Sequence, residues 1–307
     1  MKDRRKQSRD FFTPAFRRVG LMGRAVLGPP ARAARGTARR VADPARQIVD
    51  YWGSERRTMR QGFVAVVIAS MTSLLSGLTL VGMEERLRVV PGLLMLVPAA
   101  IGMRGNIFGA LAARLGTSIH SGLFEVSRAR DGSLFQNVAA AATLTVGTSV
   151  AMGLLARAIA GLLDIHTVPV WDLILVALVA GVLSSVVVAA ATIYISISSF
   201  KRGWDLDSVG APLITAIGDV MTLPCLWLAS YLSGVAVFTP LLGMLGLAAG
   251  IATTVLGWSY KRDLARRILR ESFPILCVAI VLDVFAGTVV EPRVDVVFSA
   301  LPAFLIV

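Results

Sequence analysis

Asp219 is the only acidic residue in a long apolar stretch running from Val209 to Tyr231. An ionised carboxylate at that depth in an apolar segment costs several kcal/mol unless it faces a partner, a cavity or an ion. The residues before it sharpen the pattern. Asp207, Pro212, Thr215 and Asp219 are spaced as D-x4-P-x2-T-x3-D, and Gly218 directly precedes the acid. A proline and a glycine loosen a helix close to where the carboxylate sits. The chemistry such a group can do is to receive a cation passing through the membrane.

Other chemistries find less support. The two cysteines, Cys225 and Cys277, both lie in apolar segments and offer neither a disulfide framework nor a zinc site. His120 and His166 stand alone, as loop or helix-end residues. No D-D-x-x-D, H-x-x-x-D or similar constellation is present, which argues against an intramembrane enzyme acting on lipid phosphate and against an organic cofactor.

The elements that must hold these residues are membrane helices. The chain has 307 residues, of which 55% are hydrophobic and 16% charged, with a mean hydropathy of +0.72. A soluble domain of this length needs far more charge, so the composition predicts an all-α polytopic membrane protein. Seven stretches are long enough to cross a bilayer at about 20 apolar residues each. They are residues 62–82, 89–120, 134–163, 170–200, 209–231, 235–258 and 273–290, and an eighth begins near residue 296. The second is expected to be broken, because Gly102-Met-Arg-Gly-Asn106 interrupts it, and polar backbone at mid-depth is tolerated only against protein or water.

Charge sets the orientation. Residues 1–60 hold 16 of the 31 Lys and Arg against 5 Asp and Glu, so +11 of the net +12 lies in the first fifth of the chain. This segment reads as a poorly ordered cytoplasmic tail resting on anionic lipid headgroups, with no nucleic acid as partner. Gly20, Gly23, Pro29 and Pro30 break its apolar run, so it is not a cleaved signal peptide. Lys and Arg recur in alternate loops, at Arg128 and Arg130, at Lys201-Arg202 and at Lys261–Arg270. The positive-inside rule then predicts a multi-pass protein of the cell membrane with a cytoplasmic N-terminus.

A weak internal repeat is visible at an offset of 210 residues. Arg60-Gln-Gly-Phe63 and Arg270-Glu-Ser-Phe273 open two spans, with Gly77 and Gly287 in register, and Val90–Leu96 resembles Leu301–Val307 after a one-residue shift. Two parallel copies of such a unit could line one pore about a two-fold axis along the membrane normal.

These residues resemble the MgtE-type magnesium transporters, most nearly the solute-carrier-41 branch. The span-five run from Asp207 to Asp219 carries the likeness. So does span two, where Pro91–Val97, Gly102-Met-Arg-Gly-Asn106 and Leu111–Thr117 follow the branch's P-x-L-x-x-L-V-P, G-x-K/R-G-N and L-A-x-R-L-x-T pattern.

The resemblance implies a five-helix transport domain over residues 61–232, then a linker span and loop over 233–269 and the start of a second repeat over 270–307. It implies a pore between two copies, in a homodimer or between fused repeats. Asp219 would face the ion, helped by the Thr215 carbonyl. No cytosolic helical or CBS domain precedes the spans, so no magnesium-sensing gate of that kind is expected. The second copy's broken span and acid fall beyond Val307, and a truncated chain is the expectation.

Mg2+ prefers six oxygen ligands at about 2.0–2.1 Å and gives up water reluctantly. One aspartate per copy suits a largely hydrated ion, with Thr215 and Asn106 holding its waters. The transported ion is then Mg2+ or another hard divalent cation, since no Cys, His or Met cluster favours a soft metal. Asp207 at the mouth of span five either attracts cations or caps a helix.

Several alternatives stay open. Asp219 could pair with Arg104 or Arg114, and Arg104 could pair with Glu125 or the site acid, or act as a gate. Asp283 reads as a helix-packing hydrogen bond. Flow could be passive or coupled to Na+ or H+. The competing function is a non-transporting membrane subunit that recruits partners through the basic arm.

Overall fold

A computed structural model describes residues 56–122, 132–202, 210–259 and 263–293. Among these there is no strand, and nearly every residue is helical. The helices are α1 (Arg56–Gly82), α2 (Glu84–Val89), α3 (Leu93–His120), α4 (Ser133–Leu162), α5 (Val170–Arg202), α6 (Ala211–Ser230), α7 (Phe238–Trp258) and α8 (Asp263–Val290), followed by a 3-10 turn at Glu291–Arg293. All but the six-residue α2 are long and apolar enough to cross a membrane. The expected spans are recovered with small shifts at their ends. The seventh begins ten residues earlier than its apolar run, at Asp263, because the basic stretch before Phe273 continues as helix. The expected eighth span lies outside the described residues, as does most of the basic tail.

α3 is the central post, touching α4, α5, α6 and α8. Its most apolar window is 61% buried, whereas that of α1 is only 6% buried. α1 stays at the margin and meets the bundle near Gly82, which lies against the Trp227 ring of α6. By contrast α8 packs along both α3 and α4.

Lipid tails are as apolar as leucine, so helices in a bilayer pack by close approach at small residues rather than by a hydrophobic drive. α7 shows this as a stripe. A Cβ at Gly243 would sit 2.7 Å from the Trp171 carbonyl oxygen, one at Gly246 2.8 Å from Leu178, and one at Gly250 2.6 Å from Val150. The spacing of three and four residues keeps all three on one helical face.

Polar side chains tie the helix ends. Arg86 of α2 donates to the Ser230 carbonyl at 2.5 Å and stacks 4.4 Å from the Tyr231 ring centre, satisfying the C-terminal end of α6. Asp172 in the first turn of α5 accepts from Ser233 Oγ and the Gly234 N–H, each at 2.7 Å, and so pins the α6–α7 turn. Glu291 accepts the Gly92 N–H, with the Leu94 and Met95 N–H groups also directed at it, and thereby caps the N-terminus of α3. Burial pushes the Glu291 carboxyl above its ordinary pKa, opposed by those backbone hydrogen bonds.

Two predictions follow from this packing. A Cβ at Gly287 would lie 2.7 Å from the Met95 backbone, while Gly77, its counterpart in α1, has nothing within 4 Å. Gly287→Ala should therefore destabilise by about 1–3 kcal/mol, and Gly77→Ala should not; thermal melts of the detergent-solubilised protein distinguish them. The folded protein holds the Glu291 proton more tightly than the unfolded chain does. Its contribution is thus fully present below the ordinary glutamate pKa and is lost as pH rises through the raised value. In melts from about pH 4 to about pH 7, Glu291→Gln should show a shallower fall in stability than the wild type.

Candidate cation site

α3 was expected to break at Gly102–Asn106. It is instead continuous from Leu93 to His120. The reason is the placement of Arg104, whose side chain is 1% exposed and enters the bundle between α4 and α5. Its guanidinium donates to Ser185 Oγ at 2.7 Å, to Ser149 Oγ at 3.4 Å and to Thr145 Oγ1 at 3.5 Å. Hydroxyls supplied by neighbouring helices take both terminal nitrogens, leaving only Nε without a partner among the described residues, so the backbone has no need to unwind. A Cβ at Gly181 would collide with Ser149 Oγ and lie 2.9 Å from Arg104 Nη2, so glycine on α5 makes room for this cluster.

The expected pairing of Arg104 with the site acid is not found among the described residues. Its hydrogen bonds go to hydroxyls, and Glu125 lies outside the described residues. Arg114 likewise turns to α4, donating to Asn137 Oδ1 at 2.8 Å.

α6 begins with Pro212 in its first turn, where a missing N–H costs nothing. It packs along the glycine side of α3. Thr215 Cγ2 lies 3.5 Å from a Cβ built on Gly105, and a Cβ on Gly218 would lie 3.4 Å from Arg104 Cβ. Asp219 is one turn beyond Thr215, half-buried, and its carboxylate has no hydrogen bond or ion pair among the described residues. Neither Arg104 nor Arg114 holds it.

Asn106 follows Gly105 and is exposed. Two residues of helix are about 200° of rotation, so Asn106 faces away from the Arg104 guanidinium. The structure therefore sets Thr215 against Gly105 and Gly218 against Arg104, with Asp219 next along α6, and leaves Asn106 on the adjoining open strip of α3, with Ala110 and Ala113. Asp207 lies outside the described residues.

Asp283 of α8 is also at this place. Its Oδ2 is 2.6 Å from where a Cβ on Gly102 would stand. The packing hydrogen bond expected of it is absent among the described residues. A lone acid in span seven was visible in the sequence, but its position against Gly102 needed the α3–α8 packing. The remaining polar residues behave as expected: His120 contacts the Gly116 carbonyl at 2.9 Å at a helix end, and Cys225 and Cys277 are free.

Residues 97–229 match the family MgtE, described as divalent cation transporter. The likeness takes in less than half of the chain. It covers α3 to α6, including Asn106, Thr215 and Asp219. Solute carrier family 41 member 3 of Rattus norvegicus is 31% identical over 149 residues, which is 47% of this chain and 31% of that protein. Solute carrier family 41 member 2 of Homo sapiens is 24% identical over 226 residues, 69% of this chain and 38% of that protein. The chain thus spans about a third of the length of these curated relatives. No solved structure matches. The family is one of transporters, not of enzymes.

The Arg104 cluster makes a specific stability prediction. Lysine keeps the desolvation cost of a buried charge but cannot reach three hydroxyls from one plane. Methionine removes the charge, and the hydroxyls can fall back on helix carbonyls. Arg104→Lys should be less stable than Arg104→Met by about 1–3 kcal/mol, read from thermal unfolding in detergent.

Proposed function

We propose that the chain moves a divalent cation, Mg2+ before other hard cations, across the membrane, with Asp219 as its principal contact. The observation that carries this reading is a half-buried carboxylate at mid-span, on the helix that packs against the glycine-rich stretch of α3, with no partner among the described residues. An acid kept there without a protein partner has its cost offset only by water and a cation.

The position of Arg104 supports the same route. Its fixed positive charge lies inside the bundle, on the far side of α3 from Asn106, so a cation is repelled from the interior and favoured on the open strip. A strongly hydrated dication suits that strip, where Thr215 and Asn106 offer neutral oxygen atoms to its waters. Asp207 would stand at the mouth of the path.

One Asp219 balances half of a double charge. The second carboxylate would come from a second copy of the bundle facing the open strip of α3, in a homodimer or from a second repeat. Basic residues in alternate loops support a cytoplasmic N-terminus.

The test is Mg2+ uptake by a magnesium-starved strain expressing wild type, Asp219→Asn or Asp219→Ala at matched levels. Both variants should lose uptake by about 10–100-fold, as expected for removing a charged contact of 1.5–3 kcal/mol. Rescue equal to wild type by both would overturn the assignment and favour a membrane subunit that does not transport.

A further inference from the structure

We propose that Asp283 is a second cation contact, reached through the cavity between α3 and α8. The inference rests on the cation-transport reading and extends it to a residue that lies outside the MgtE-matched stretch.

Three observations carry it. The first is the cradle at Gly102. The two helices run antiparallel, as their successive contacts show: Gly92 with Glu291, Met95 with Gly287, and Gly102 with Asp283. At Gly102 the missing side chain leaves space that the Asp283 carboxylate fills. Any larger residue at 102 would displace the acid. The carboxylate has no hydrogen bond or ion pair among the described residues, so this is not a packing contact of polar groups.

The second is the cavity. It has a volume of about 430 Å³ and runs between α3 and α8, lined by Asn106, Ala110 and Arg114 on one side and by Ser272, Leu276 and Ala279 on the other. Asn106 is one turn from Gly102, and Ala279 is one turn from Asp283. The rung formed by Gly102 and Asp283 thus lies one helical turn beyond this lining, toward the N-terminus of α3. Six waters at about 30 Å³ each occupy about 180 Å³, so a dication with a full hydration shell fits inside. Arg114 stands at the opposite end, with its guanidinium drawn toward Asn137 of α4.

The third is depth. α6 is antiparallel to α3, so one turn beyond the Thr215–Gly105 contact brings Asp219 to the level of Ile101 and Gly102. Asp219 and Asp283 thus flank the same short stretch of α3 from two sides. α6 and α8 make few contacts with each other, so α3 is left open between the two acids. A hydrated cation entering along the α3–α8 cavity would meet Asp283 first, with Asp219 across the glycine stretch. The charge of Asp283 lowers the cost of bringing a dication that far into the apolar layer.

The experiment uses the full chain in phosphatidylcholine vesicles, with Cys225 and Cys277 replaced by serine and Ala110→Cys as a reporter in the cavity. Labelling by a positively charged thiol reagent is measured against Mg2+ concentration. Mg2+ should slow the labelling, and Asp283→Asn should raise the half-protecting concentration by about 10–100-fold, while Asp283→Glu restores it. Ala279→Phe, which fills the cavity and leaves the carboxylate in place, should abolish protection, and it carries the test if Asp283→Asn does not fold. Equal protection in wild type, Asp283→Asn and Ala279→Phe, or no protection at all, overturns the proposal. Protection lost only in Asp219→Asn overturns it too, without touching the role of Asp219. Because the readout is labelling, failure of the transport reading itself would show separately, as absent Mg2+ entry into wild-type vesicles.

Discussion

A guanidinium cannot be left bare in the apolar layer, and the way Arg104 is satisfied sets the rotation of α3 about its own axis. Thr145, Ser149 and Ser185 sit on α4 and α5, so Arg104 must point between those helices. Helical periodicity then decides what every neighbour faces. Gly102 meets α8, Gly105 meets α6, and Asn106 turns to the open side. One charged residue inside the bundle thereby directs the small and polar residues of the same helix outward, where two acids approach them.

The glycines act at separate points of this arrangement. Gly181 admits the Arg104 cluster and Gly102 admits Asp283, whereas a Cβ at Gly105 would make only ordinary contact with Thr215. At Gly181 and Gly102 the absent side chain makes room for a polar one from another helix. Glycine at these positions is less a hinge than an accommodation, which explains how α3 contains a G-M-R-G-N run and still remains one uninterrupted helix. The same device at Gly287 seats α8 against Met95, whereas α1 keeps Gly77 open and stays at the edge.

Much of this was readable before any coordinates. Apolar length alone located the spans, because the bilayer imposes a minimum run on any helix that crosses it. The D-x4-P-x2-T-x3-D run pointed to Asp219, and the MgtE resemblance drawn from it agrees with the family match over residues 97–229. The unwinding expected of span two was wrong, because a polar interruption can be satisfied by side chains of other helices, and those contacts are long-range. Asp283 was read as a packing residue for the same reason: its own segment gives no sign that a glycine 181 positions earlier stands opposite.

Sequence by itself determined that the chain is an all-α membrane protein with a costly acid at mid-span, since hydropathy and burial cost are properties of a segment and its solvent. Tertiary structure alone decided which side of α3 is charged and which is open, that Arg104 bonds to hydroxyls of α4 and α5, and that Asp283 of a distant helix reaches Gly102. Those outcomes depend on helix rotation and on pairing between distant segments, and no local pattern of residues encodes either.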